Sequence, residues 1–246
     1  KYFLNFSIIF DIRGFWIEER VEWGLWKKNS FKYKFFKFFE NKIYNRSKSI
    51  VTLTNDAKDF ILLKRIKNVK EENIHVIPTC VQINQFENKK KEDKYIKFTH
   101  LGAIGTRYDF DFYLKLISII KKQRNIFLSI INKGEHIEIE KKIKNYNFDK
   151  TDYEIKYFPP YEINSQISDS DYGVFFPKKG HYLKGYFPTK LGEFLSNGIP
   201  VITTRINKHV DSIIIDNNVG IIIENYENID FSKLYNQILL FLNDTN

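Results

Sequence analysis

The sequence predicts an α/β fold built on doubly wound parallel sheet, with one complete domain preceded by the tail of another. Three observations predict it. Short apolar runs alternate with amphipathic stretches along the chain. From about residue 95 onward that alternation runs through six strand–helix pairs. The 246 residues are 43% hydrophobic and 17% aromatic, which is ample for a packed core and argues against global disorder.

In chain order, residues 6–11 read as a strand. Residues 31–44 read as a helix capped by Ser30, with Phe31, Phe35, Phe38, Phe39 and Ile43 on one face. That face is expected to meet the core and leave the lysines in water. Residues 49–54 form a strand, and Asn55 is expected to cap a helix reaching Ile66. Residues 74–77 form a strand stopped by Pro78. The segment 85–94 (QFENKKKEDK) has little to bury and reads as a linker. Beyond it, strands are expected at 97–101, 126–131, 153–158, 171–176, 199–203 and 219–224. Helices are expected at 108–122, 136–145, 161–168, 188–197, 207–215 and 230–243. Such alternation implies parallel βαβ units. Residues 95–246 therefore make a complete Rossmann-like domain, and 1–84 look like the end of a similar one. Ligands of these sheets bind at the carboxyl ends of strands, so the loops after 97–101, 126–131 and 171–176 are the ones to inspect.

Composition narrows the function classes. Lys and Arg number 39 against 30 Asp and Glu, a net charge of +9 that favours anionic partners without choosing among them. The chain has no nucleic-acid recognition motif and no clustered basic stripe, so a nucleic-acid partner is not expected. No apolar run approaches roughly 18 residues, so no membrane-crossing helix is expected. The first residues lack the basic start and cleavage site of a signal peptide. Met is absent, which predicts that Lys1 lies inside a longer or processed protein. The single Cys80 excludes an intramolecular disulfide and points to a reducing compartment. No His and Cys stand at metal-ligand spacing, so no metal site is expected.

The strongest chemical signal is Pro188-Thr189-Lys190-Leu191-Gly192-Glu193, followed by Asn197-Gly198-Ile199-Pro200-Val201. Pro188 suits a helix start. The free N–H groups of Thr189 and Lys190 would then face the preceding loop, where a helix N-terminus can hold a phosphate. That loop contains Lys178, Lys179, Gly180, Lys184 and Gly185, suited to cradling a diphosphate. Glu193 lies one turn further on and can accept hydrogen bonds from the two hydroxyls of a ribose. A helix with a solvated Glu and a Gly at its end would have the same residues.

This segment resembles the retaining glycosyltransferases of GT-B fold, family 4, which carry P-x-K-x-x-E-x-x-A/S-x-G-x-P-V. Other stretches agree in order: Val76 to Val81 with Phe86, Leu101-Gly102 through Gly105-Thr106-Arg107-Tyr108, Asp171 to Phe176, and Asp11 to Trp16 with Glu18-Glu19-Arg20. The last of these is similar to bacterial members. The resemblance implies a GT-B chain with 1–84 from the acceptor-side domain and 95–246 binding the nucleotide sugar. It implies transfer of a sugar from that donor to a glycan or lipid-linked acceptor, as in polysaccharide biosynthesis. Glu193 would hold the donor ribose. Thr189, Lys190, Gly105 and Arg107 would face the diphosphate, with no metal ion required.

The chain also departs from the family. Many members carry a second Glu eight residues before the first, where Gly185 stands here. Ala103 replaces the Arg that usually follows the first glycine of the 102–105 loop. The family histidine near the reacting sugar would precede residue 1, so the residue acting on that sugar is not identified. His100 is expected to be structural, and His136, His181 and His209 have no evident partner.

Residues 15–26 (FWIEERVEWGLW) combine aromatics and carboxylates, the groups that stack on sugars and bind their hydroxyls. Asp11, Arg13, Trp16 and Glu19 are candidates for a cleft wall, although Asp11 and Arg13 would also suit a buried ion pair. The basic helix within 27–48 could rest on an anionic membrane, consistent with a cytoplasmic protein peripheral at the inner face. Two other function classes fit less well: a GT-B sugar-nucleotide epimerase and a basic nucleic-acid-binding protein.

Overall fold

The computed structural model describes residues 7–83, 94–105, 107–224 and 229–244. The expected linker falls outside the described residues except for Lys94, as do Phe86 and Thr106. The chain divides into two compact units. One holds residues 1–79, 179–188 and 206–211; the other holds 80–178, 189–205 and 212–246.

In the first unit, strands β1 (Ile8–Ile12), β2 (Ser47–Thr52) and β3 (Ile74–Val76) pair in parallel in the order β1-β2-β3. Helices α1 (Trp16–Glu22), α2 (Phe31–Arg46) and α3 (Asn55–Leu63) connect them. Ile12, Phe15, Tyr44, Ile50, Ala57, Ile61 and Ile74 form the core. Helix α1 falls in a stretch with no apolar period, and the sequence did not predict it. Thr54, not Asn55, caps α3: its Oγ1 accepts the Ala57 N–H at 3.0 Å. Ser30 caps α2 as expected, accepting from Tyr33 N–H at 3.3 Å.

The orientation of α2 corrects the sequence expectation. Phe31 (86% exposed), Phe35, Phe38, Phe39 and Ile43 all face outward. The inward row is Tyr33, Lys37, Glu40 and Tyr44, of which only Tyr44 is fully buried. Lys37 Nζ bonds Glu18 at 2.5 Å and Glu40 at 2.6 Å, and Lys64 Nζ lies 3.6 Å from both carboxylates. The Lys64 ammonium also faces the rings of Phe15, Tyr44 and Phe60. Four charges neutralise one another there, which permits their removal from water.

The second unit contains β4 (Ile96–Leu101), β5 (Ile126–Ile131), β6 (Tyr153–Lys156), β7 (Tyr172–Phe175), β8 (Val201–Thr204) and β9 (Gly220–Ile223). All pair in parallel, in the order β6-β5-β4-β7-β8-β9. Helices α4 (Phe110–Lys121), α5 (His136–Lys144), α6 (Ile163–Ile167), α7 (Thr189–Leu195), α8 (Lys208–Asp216) and α9 (Phe231–Asp244) intervene. Six strands with their helices are present, as the alternation predicts. Asp109 Oδ1 caps α4 by accepting from Phe112 N–H at 3.0 Å. The inner side of α4 buries Phe110, Tyr113, Leu114, Ile117 and Ile120 against Phe98, Leu128, Ile130 and Val174 of the sheet. Each such side chain contributes roughly 1.5–3 kcal/mol by leaving water. The strand order reverses direction between β4 and β7, the position at which sheets of this kind bind ligands.

Candidate functional site

The loop after β4 begins at Gly102, whose φ of +104° disfavours any side chain. A Cβ there would also crowd Lys190, lying 3.3 Å from its Nζ. Asn132, at the end of β5, bonds the Gly102 carbonyl through Nδ2 at 3.1 Å. Its Oδ1 accepts from Gly134 and Glu135 N–H at 2.9 and 2.6 Å. Glu135 in turn accepts from Ile104 N–H at 2.9 Å and from Asn132 Nδ2 at 2.7 Å. The Gly102–Gly105 backbone is thus held by two side chains from the neighbouring strand end. The sequence reading missed Asn132 and Glu135; an Asn, a Gly and a Glu directly after a strand were the available signal.

Helix α7 begins at Thr189, one residue after Pro188, and ends where Gly198 and Ile199 N–H bond the carbonyls of Leu195 and Phe194. Its depth on the sheet depends on Gly173 in β7, since a Cβ there would lie 2.3 Å from the Phe194 ring. Lys190, 8% exposed, projects inward. Its ammonium sits 3.9 Å from the centre of the Tyr108 ring and 5.7 Å from that of Phe175. Among the described residues the buried Nζ has no hydrogen-bond partner. Burial pushes its pKa down, against smaller opposing effects of Tyr108 and Glu193. Glu193 is half-buried, and among the described residues its carboxylate makes no hydrogen bond or ion pair. Burial raises its pKa, and the Lys190 charge opposes that rise. Thr189 and Gly105 are exposed. Arg107 is exposed too, and its carbonyl accepts from Lys178 N–H at 2.9 Å.

His100 is structural, as expected. It is 1% exposed, with Nε2 3.3 Å from the Ala103 carbonyl. Burial and the Lys190 charge push its pKa down to about 3, so the ring is neutral near pH 7. His136 does have a partner: its Nε2 lies 2.8 Å from the Asn132 carbonyl.

The remaining candidates lie in the first unit. Asp11 and Arg13 pair at 3.1 Å, and the pair is exposed rather than buried. Trp16 is 44% exposed and meets Trp26 and Phe36 edge-on, with the Arg20 guanidinium over its ring. Glu19 is buried. The loop before α7 contains a 3-10 turn at His181–Gly185. Glu22 accepts the N–H groups of His181 and Tyr182 at 2.6 and 3.2 Å. Asn207 bonds the carbonyls of Leu183 and Tyr186, and Thr54 Oγ1 bonds that of Lys184. At Gly185 a Cβ would lie 3.1 Å from the Phe15 ring. The place of the missing second glutamate is therefore packed against an aromatic side chain. Among the described residues, no three His, Cys, Asp or Glu side chains cluster as metal ligands.

Comparison with solved structures places the fold. Anabaena HepE, solved with UDP and glucose, superposes with a TM-score of 0.69 at 11% identity, covering 97% of this chain and 62% of HepE. WaaG, a glycosyltransferase involved in lipopolysaccharide biosynthesis, gives 0.68 at 14% identity, covering 96% of this chain and 65% of WaaG. A mutant of S. aureus TarM, solved with fondaparinux, alpha-GlcNAc-glycerol and UDP, gives 0.63 at 17% identity. That match covers 84% of this chain and 39% of TarM, so the chain spans well under two thirds of that protein. These likenesses establish a Rossmann-like fold of GT-B type. No curated protein matches by sequence. The family pattern described as Glycosyl transferases group 1 matches residues 81–244 of the 246. Because that match takes in the Gly102 loop, Lys190 and Glu193 and covers more than half of the chain, the protein belongs to the group 1 glycosyl transferase family.

Proposed function

We propose that the chain is the donor-binding part of a family 4, retaining glycosyltransferase that moves a sugar from a nucleotide donor to a glycan or lipid-linked acceptor. The observation that carries this reading is the Lys190 ammonium, which is buried against the Tyr108 ring, has no carboxylate bound to it among the described residues and lies against the Gly102 loop at the reversal of strand order. A buried cation of this kind is costly alone and favourable beside an anion. A diphosphate supplies that anion. Glu193, one turn further along α7, has a carboxylate without a hydrogen bond among the described residues, available to the two ribose hydroxyls. Lys190 and Arg107 offset the charge that develops on the departing nucleoside diphosphate, so the reading needs no metal ion. Asn132 and Glu135 keep the loop in register without touching donor. The UDP complexes of HepE and TarM support a uridine nucleotide as the first donor to try. The family match does not favour the epimerase or nucleic-acid readings. Cytoplasmic location and a role in polysaccharide biosynthesis belong to the same proposal.

Titration calorimetry with UDP and GDP on the 246-residue chain tests it. One of the two is expected to bind, and Glu193→Ala is expected to weaken it at least about 10-fold, on the scale of lost hydrogen bonds to a charged group. Absence of binding to both, or affinity unchanged in a folded Glu193→Ala protein, overturns the reading.

A further inference from the structure

We propose that the outer face of α2 docks the protein onto an anionic lipid bilayer. Ten positions of α2 are exposed. Five are Phe or Ile, four are Lys or Arg, one is Asn41, and none is acidic. The rings form a connected surface: Phe35 and Phe39 lie 4.8 Å apart, and Phe38 and Phe39 lie 5.6 Å apart. Lys42 Nζ sits 4.4 Å from the centre of the Phe38 ring, so a cation stands among the aromatics. Just before the helix, Leu25, Lys27 and Lys28 are exposed and extend the same mixture.

The charge pattern chooses the occupant. The one acid of α2, Glu40, is turned inward onto Lys37, which leaves a purely cationic rim around the aromatics. A second copy of the chain would bring Lys32, Lys34, Lys42 and Arg46 against themselves under two-fold symmetry, which is repulsive. Lysine is also depleted at protein interfaces. At a bilayer the rings enter the boundary between headgroups and acyl chains, and the lysine stems reach back to the phosphates. Among the described residues no helix is long and apolar enough to cross a membrane, so the contact is superficial.

Co-sedimentation of the 246-residue chain with vesicles decides it. Vesicles of phosphatidylglycerol with phosphatidylcholine are expected to capture the protein, and capture should fall steeply with salt. Pure phosphatidylcholine should capture far less. Reversing three charges (Lys32→Glu, Lys34→Glu, Lys42→Glu) is expected to weaken binding about 100-fold. A second variant, Phe35→Ser with Phe38→Ser, should weaken it about 10-fold or more. Both variants should keep the parent melting temperature. The proposal is overturned if anionic vesicles fail to capture the protein, if neutral vesicles capture it equally, or if either folded variant binds like the parent. It is also overturned if the face instead drives self-association that the Phe variant abolishes, with no lipid binding.

Discussion

Helices α2 and α4 are made of similar material and are used in opposite ways. Both carry rows of Phe and Ile at helical spacing. In α4 seven of twelve residues are buried, and the row lies on the sheet. In α2 one of sixteen is buried, the row faces water, and the inward side holds an ion-pair cluster. Periodicity tells which residues share a face; it does not tell which face turns inward. That choice depends on what the inward face meets: the apolar surface of β4 and β5 under α4, and Glu18 and Lys64 under α2.

Substitutions can break this comparison. Leu114→Ala in α4 is expected to destabilise the protein by about 4 kcal/mol, whereas Phe38→Ala in α2 should stay within about 0.5 kcal/mol, both read from urea unfolding. Equal losses would mean that the two faces are not used differently. Lys37→Met should cost about 3 kcal/mol, because it leaves the Glu18 and Glu40 carboxylates close together with less compensating charge. A neutral outcome would show that the cluster does not fix how α2 is seated.

A pH-dependent effect belongs to the second unit alone. His100 has its folded pKa at about 3, against an ordinary 6.5. As pH falls below 6.5 the unfolded chain takes up a proton and the folded chain does not. Stability is therefore lost across the window from 6.5 to about 3. Between pH 6.5 and 5 the loss from this group is about 2 kcal/mol, and His100→Leu should flatten that part of the stability–pH curve.

Much of the fold was legible in the sequence because buried parallel strands are short, dense apolar runs. The six strands of the second unit lie where the runs lie, to within a residue or two. Legibility failed where partners are remote. Glu18 and Lys64 are far from Lys37 in sequence, so the ion cluster that orients α2 left no local trace. Helix α1 was missed because Ile17 and Glu19 are its only buried residues, too few to make a period. Thr54 and Asn55 are both good caps, and only the folded backbone chooses between them. At the site, Lys190 and Glu193 stood out by motif. That Lys190 turns inward beside Gly102 depends on how deeply α7 rests on β7, a distance no local pattern encodes.

That distance has its own consequence. The seat of α7 is a missing carbon atom at Gly173, sixteen residues upstream of Thr189 in a different element. A methyl group there would force Phe194 outward, and Lys190 and Glu193 would travel with it, since one short helix carries all three. Position 173 therefore works as a set-screw for the height of the helix. A variant there is expected to weaken the donor binding proposed for α7 and to lower the melting temperature together.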